Sequence, residues 1–180
     1  MNVDYRYCLS PSLAQPGEAS YVLAHLAGRT LWHRMYDNLP SLEKELGGKS
    51  TEVLLTFLAD CEQQGKSLDW RMYLIFFEWL HQRDLISNAN HDSFLLECLG
   101  AAAARWAGEI VHVGMYRMVL GCNDTGLVVG IARSTAIDKP AKIYRVSIDA
   151  SIPTGPRFQF SLSPHADRWS IDNWQAVFPD

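Results

Sequence analysis

The chain has 180 residues, of which 48% are hydrophobic and 20% are charged, and its formal net charge is −4. These values are typical of one globular domain and exclude a disordered or low-complexity chain. The lysines and arginines are scattered singly, which argues against nucleic-acid binding through a basic face. The sequence contains no apolar stretch of the length that spans a membrane, so we expect no membrane association.

Helical patterns fill the first 108 residues. Apolar residues recur at helical spacing in about four to five segments, and the boundaries are marked by Pro40, Gly47-Gly48, Gly65 and Gly108. Ser50 and Ser67 precede two of these segments, where a hydroxyl can accept a hydrogen bond from an unpaired backbone amide. The last segment carries the run GAAAA at residues 100–104, whose small side chains allow another element to approach closely.

The most apolar segment spans residues 69–85, with the sequence DWRMYLIFFEWLHQRDL. On a helix of 3.6 residues per turn, its apolar side chains cover roughly half of the circumference, which is typical of a buried helix. Its polar side chains form one narrow strip, which consists of Arg71, Glu78, His81 and Gln82. We therefore predict a buried central helix over about residues 68–83.

The periodicity changes after Gly108, where β-branched and aromatic residues replace the helical pattern. Strands are predicted at residues 109–120, 127–134, 141–149 and 157–163. In the last of these, Phe158, Phe160 and Leu162 alternate with polar residues, so we expect Ser161 to face outward. The tail at residues 166–180 fits either a short helix or a final strand.

Helices followed by strands predict an α+β fold with antiparallel strands. We expect an N-terminal bundle of about four to five helices around the central helix, packed on a C-terminal sheet of about four strands. No stretch rich in Pro, Gly or Ser separates the two parts. The prediction is therefore a single domain over residues 1–180, mainly helical up to residue 108 and mainly β from residue 109.

The four cysteines, Cys8, Cys61, Cys98 and Cys122, are far apart and form no CxxC pair. Since the N-terminus lacks the basic and apolar regions of a secretion signal, we expect a cytoplasmic protein with free thiols. Counting alone leaves disulfide pairing open. Cys122 lies at the predicted tip of a hairpin, where we expect an exposed thiol.

Standard cofactor and metal motifs are missing from the sequence. It has no GxxxxGK[ST] or GxGxxG phosphate loop, and its six histidines form no HxxxH or HExxH pair. His91-Asp92 is predicted to lie in a polar loop, where we expect the histidine to be solvated and the aspartate to cap the following helix. The alternative is that the pair supplies one or two metal ligands. We therefore predict no cofactor and no metal.

Catalytic candidates come from distant parts of the chain. Glu78 and His81 lie in the polar strip of the central helix, and a buried glutamate there could act as an acid or a base. The set is completed by His112 and by the strand arginines Arg117, Arg133 and Arg145. The alternative is that the strip faces water or pairs with arginines elsewhere.

Binding candidates lie on the strands and in the tail. Arg117, Arg145 and Tyr144 could form a cationic face with an aromatic edge, which suits a carboxylate or a phosphate. The alternative is that each arginine lies on the wet outer face of the sheet. The tail contributes residue types that often anchor interfaces, namely Arg168, Trp169, Asp172 and Trp174. The alternative here is that these tryptophans dock the terminus onto its own core.

We interpret the sequence as a non-catalytic cytosolic binding protein, such as an adaptor or a stoichiometric inhibitor of the immunity or antitoxin type. Its acidic charge favours a basic protein partner through electrostatic steering. The sequence also allows the protein to form a homo-oligomer. The alternative is a small enzyme whose active site combines the catalytic candidates. The missing motifs favour binding over catalysis without deciding between them.

Overall fold

The structure is a computed structural model that describes residues 19–87, 89–109, 114–122, 127–136, 139–147, 157–166 and 174–178. The chain forms two compact units, which are divided between Leu68 and Asp69. The single domain predicted over residues 1–180 stays a prediction. Within the described ranges, no helix is both long enough and apolar enough to cross a membrane.

The first unit contains α1 (Ala19–Tyr36), α2 (Pro40–Leu46) and α3 (Ser50–Gln63). Pro40 is the first residue of α2, where its missing N–H costs nothing. Ser50 does not cap α3 as predicted, because it is the first residue of the helix and is buried. Its hydroxyl accepts a hydrogen bond from Trp32 Nε1 at 3.3 Å, and its carbonyl accepts one from the Tyr36 hydroxyl at 2.7 Å.

The second unit begins with α4 (Met72–Gln82) and α5 (His91–Ala107), which pack against each other. Nearly every apolar side chain of α4 is buried, so the predicted central helix is confirmed. Its helical hydrogen bonding begins a few residues later than predicted. The residue in the capping position is Arg71, which makes no side-chain capping bond, so the prediction that Ser67 caps this helix is wrong. Just before the helix, the Asp69 carboxylate accepts a hydrogen bond from the Arg71 backbone amide at 2.8 Å.

An antiparallel sheet follows the helices, as predicted for an α+β fold. Its strands are β1 (Tyr116–Cys122), β2 (Leu127–Ser134), β3 (Lys142–Ser147), β4 (Phe158–Ser163) and β5 (Gln175–Ala176). They lie in the order β3-β2-β1-β4-β5. The described sheet therefore has one strand more than the four predicted, because the tail contributes the short strand β5 beside β4.

One face of this sheet is covered by α5, which packs on β1 and β2. The small residues of α5 permit this approach, and Ala101, Ala102 and Ala103 are buried. A Cβ atom on Gly100 would lie 3.5 Å from Cδ1 of Ile131 in β2. The close approach predicted from the GAAAA run is thus present in the structure.

The opposite face of the sheet is covered by the C-terminal segment. Tyr116, Met118 and Ala132 are buried there with Ala166, and Tyr144 and Trp174 pack against them. Ser161 of β4 is the partner of Met118 and is only 7% exposed. The prediction that Ser161 faces solvent is therefore wrong. The alternation of apolar and polar residues correctly separates the two faces of β4, but the C-terminal segment covers the face that carries Ser161.

Candidate functional site

The edge of the sheet at β3 presents an exposed strand. Among the described strands, β3 pairs on one side only, with β2. Lys142, Ile143 and Arg145 are exposed on it, and Ile143 keeps 56% of its surface accessible. A large apolar side chain this exposed on an edge strand is a candidate contact for another chain.

Side chains alternate along β3, so neighbouring residues point to opposite faces of the sheet. Ile143 is the partner of Ile131 and lies on the side of the sheet that α5 covers. Tyr144 lies on the opposite side, where its hydroxyl donates to the Ala166 carbonyl at 2.6 Å. Tyr144 and Arg145, predicted to share one binding face, therefore point to opposite faces of the sheet.

The three strand arginines do not form one cationic patch. Arg117 and Arg133 are direct partners across β1 and β2, whereas Arg145 is the partner of Val129, farther along β2. Arg133 is half-buried and Arg145 is exposed. Of the predicted trio, Arg145 is thus the member that the edge strand presents to solvent.

Arg117 is buried rather than wet, with 1% of its surface exposed. Its Cζ lies 5.2 Å from the ring centroid of Trp106 in α5, a cation–π distance. Burial lowers the pKa of Arg117, and the charge of Glu109 acts in the opposite direction. Arg117 lies on the side of the sheet that α5 covers. The alternative that this arginine lies on a solvent-exposed outer face is therefore wrong.

The tail residues are only partly described. Trp174 is half-buried and packs on the face of the sheet that carries Tyr116 and Met118. This position matches the alternative in which the terminus docks onto its own core. Arg168, Trp169 and Asp172 lie outside the described residues, as does the catalytic candidate His112.

A second group of polar side chains meets where α4, α5 and the start of β4 come together, and we call it the α4–α5 corner (Glu78, His81, His91 and Arg157). Arg157 Nη2 lies 3.2 Å from His81 Nε2, and Arg157 Nε lies 3.5 Å from Glu78 Oε1. The side chains of Glu78 and Arg157 are each 24% exposed. The polar strip of the central helix thus contacts an arginine from another element.

Two histidine rings meet edge-on within the α4–α5 corner. The His81 and His91 rings have centroids 5.3 Å apart, and both rings contact Phe77. His91 is buried, and its Nδ1 lies 4.0 Å from Oδ1 of the exposed Asp92. The predictions that His91 is solvated and that Asp92 caps the helix are therefore wrong. Asn90 occupies the capping position without a side-chain bond, and Asp92 lies in the first turn of α5, where a negative charge is favourable.

Sequence reasoning missed the roles of Arg157 and His91 in this corner. Arg157 lies 76 positions from His81 in the sequence. No short-range spacing signals such a contact. Across the described parts of the chain, no group of three His, Cys, Asp or Glu side chains could hold a metal ion.

Burial makes the thiols of the described cysteines weaker acids. Cys61, Cys98 and Cys122 are free, and the first two are buried. Burial raises the pKa of Cys61 to about 11 and also raises the pKa of Cys122, against which the charge of Arg157 acts. Cys122 is the half-buried last residue of β1, so the prediction of an exposed thiol at a hairpin tip is wrong.

Three aromatic rings meet beside the start of α4. Trp70 stacks on Trp106 with ring centroids 4.6 Å apart, and Phe160 meets both rings edge-on. The Arg117 guanidinium lies over the Trp106 ring, as described above. These contacts explain why two tryptophans far apart in sequence are both nearly buried. This region is filled by packed side chains.

The chain is thus an α+β protein whose sheet offers an exposed edge at β3. The other candidate residues that the structure describes are buried or half-buried. Its sequence matches the family described as "Methanobactin biosynthesis cassette protein MbnC-like" over residues 14–178. The protein therefore belongs to the MbnC-like family. No match is found among curated proteins.

Proposed function

We propose that the protein is a non-catalytic component of methanobactin biosynthesis that binds a protein partner. The family description links MbnC-like proteins to a methanobactin biosynthesis cassette. The observation that carries the binding role is the exposed edge strand β3 with Ile143 at 56% exposure. The other candidate residues within the described ranges supply less support, because they are buried or half-buried.

An edge strand is suited to binding an extended segment of another chain. Its outer backbone N–H and C=O groups can pair with a further strand, while alternate side chains select the sequence of that strand. On the side that α5 covers, β3 offers Ile143 and Arg145 to such a segment. We infer that the partner adds a strand to this edge and places an apolar side chain against Ile143.

The charges of β3 work against pairing between two copies of this protein. A two-fold antiparallel pairing centred on Lys142 or on Arg145 would place that residue directly opposite the same residue of the other copy. Like charges directly opposite each other destabilise a strand pair. Lysines and arginines on edge strands commonly prevent self-association in this way.

The charge of the partner follows from two opposing features. The net charge of −4 favours the approach of a basic protein, whereas Lys142 and Arg145 attract acidic side chains at the contact itself. The variant Arg145→Glu separates these cases. Tighter binding by this variant identifies a basic contact segment, and weaker binding identifies an acidic one.

The experiment uses two matched substitutions of exposed apolar residues. Ile143 is 56% exposed on β3 and Leu26 is 57% exposed on α1. Each is changed to Asp, and the tagged full-length chain is co-expressed with each protein encoded in the cassette. We expect Ile143→Asp to reduce recovery of one partner about tenfold or more, while Leu26→Asp keeps it. Equal recovery by both variants, or no partner at all, contradicts the proposal.

A catalytic role for the α4–α5 corner is the second candidate function. It is favoured by one observation, namely that Glu78 and His81 both contact Arg157. Glu78→Gln and His81→Gln test it in a reconstituted cassette reaction. A catalytic corner predicts loss of product with partner binding intact, whereas the binding role predicts normal product from both variants.

A further inference from the structure

Two residues of α4 hold the guanidinium of Arg157. His81 Nε2 accepts a hydrogen bond from Nη2 at 3.2 Å, and Glu78 Oε1 lies 3.5 Å from Nε. Glu78 and His81 are three positions apart and therefore lie on the same side of the helix. A single arginine is thus connected to α4 at two adjacent points.

This arrangement fixes the proton on His81. A guanidinium carries only donors and stays charged in proteins, so the imidazole must accept through an unprotonated Nε2. The single proton of the neutral ring then lies on Nδ1. Protonation of Nε2 removes the acceptor and leaves two cationic groups at the same 3.2 Å separation.

The other charged and titratable groups around His81 come from three elements. Glu78 on α4 attracts a protonated ring, but its charge is already shared with Arg157. From α5, His91 meets His81 through a tilted ring contact, and the exposed Asp92 lies beside His91. At the end of β1, Cys122 lies near the charge of Arg157. The contact with Arg157 is therefore the interaction that a second proton on His81 breaks directly.

We propose that the α4–α5 corner is a pH-sensitive latch, closed when His81 is neutral and open when its ring is protonated. The latch is connected to the sheet through Arg157, which directly precedes β4. The Arg157 carbonyl accepts a hydrogen bond from the Cys122 amide at 3.0 Å, next to the paired residues Gly121 and Phe158. Opening the latch loosens this end of the β1–β4 pair, and it does so whether or not β3 binds a partner.

The test follows the hydrogen-exchange protection factor of the Cys122 amide in the full-length protein. It compares protection at about pH 7.5 with protection at about pH 5.5. His81→Gln keeps an acceptor for Arg157 that does not titrate. His33→Gln is the control, since His33 lies on α1 and pairs with Asp37 at 3.3 Å.

We expect protection of the wild-type amide to fall about tenfold or more at the lower pH, and we expect no fall in His81→Gln. The His33→Gln protein should behave like wild type. Unchanged wild-type protection, or an equal fall in His81→Gln, overturns the latch. If His81→Gln does not fold, ¹⁵N shifts of the wild-type ring at neutral pH decide: a proton on Nδ1 supports the latch and one on Nε2 overturns it.

Discussion

Gly121 determines how closely β1 approaches α5. A Cβ atom at this position would lie 2.9 Å from Cδ1 of Leu95, 3.1 Å from Cε1 of Phe158 and 3.3 Å from Cδ1 of Leu99. The first distance is shorter than a normal contact between carbon atoms. There is therefore no room for a side chain at position 121, and any larger residue must displace buried side chains.

We predict that Gly121→Ala lowers the free energy of unfolding by about 1–3 kcal/mol, the usual cost of overfilling a packed core. Gly100→Ala is the matched control, because its new Cβ would make an ordinary contact at 3.5 Å. It should be neutral or stabilising, by up to about 1 kcal/mol, since alanine favours a helix. Urea unfolding measures both, and equal stability of the two variants would contradict the packing described.

Asp84 is strained at the end of α4. Its φ is +52°, and it is the non-glycine residue with positive φ among those described. The Asp84 amide donates to the His81 carbonyl and the Leu85 amide to the Leu80 carbonyl, which closes the helix with a left-handed residue. A carboxylate at the negative end of a helix is also unfavourable.

We predict that Asp84→Asn stabilises the protein by about 0.3–1 kcal/mol, because asparagine tolerates this conformation and removes the charge. Asp92→Asn is the control of opposite sign, since Asp92 lies in the first turn of α5. It should destabilise the protein by a similar amount. Thermal unfolding at low ionic strength measures both changes, and a lower melting temperature for Asp84→Asn would refute the explanation.

At the scale of elements, the start of α4 depends on Asp69 and Arg71. The Arg71 side chain donates to the Asp69 carboxylate from Nε at 3.0 Å and from Nη2 at 2.7 Å. Burial acts to raise the pKa of Asp69, but the hydrogen bonds and charge of Arg71 lower it below its usual range. The ion pair therefore stabilises the folded protein only while this carboxyl is ionised.

The sign of the pH dependence follows from that lowered pKa. The stability from the pair is fully present above the unfolded pKa of about 4 and is lost as the pH falls through the lower folded value. We predict that Arg71→Gln costs up to about 1 kcal/mol at neutral pH, because the pair is partly exposed. The difference from wild type should vanish in acid, as measured by denaturant unfolding at several pH values. A constant difference at every pH would exclude the ion pair as its cause.

The elements differ in how far the sequence predicts them. The pattern of α4 depends on neighbours within a few turns, so its period alone identified a buried helix. Ser161 is the partner of Met118, on the face where Ala166 and Trp174 pack, and Arg117 lies over the ring of Trp106. Such contacts between elements leave no periodic signal. For the same reason, the sequence predicted the polar strip of α4 in the α4–α5 corner but not its contact with Arg157.

At the scale of the whole molecule, the C-terminal segment completes the sheet. It supplies Ala166 and Trp174 to one face and β5 to the edge beside β4. The Val177 amide donates to the Phe158 carbonyl at 3.1 Å. The segment thus covers a second face of the sheet, and among the described strands the two edges are β3 and β5.

We predict that truncation after Pro164 costs at least about 3 kcal/mol, because it exposes several buried apolar side chains. A thermal shift assay should show a much lower melting temperature, and a dye that binds apolar surface should show increased binding. The control is Trp174→Phe, which keeps an apolar ring at the same place and should cost less. A truncated chain that melts like the full-length protein would mean that the tail is not part of the core.

The stacked pair Trp70 and Trp106 has an optical consequence. Their ring planes are inclined by only 12° and their centroids are 4.6 Å apart, so the electronic transitions of the two indoles couple. Coupled transitions split into bands of opposite sign in circular dichroism, separate from the signal of the backbone. This splitting requires Trp70, before α4, to meet Trp106 at the end of α5. It therefore provides a spectroscopic measure of native packing in the second unit that is independent of its helix content.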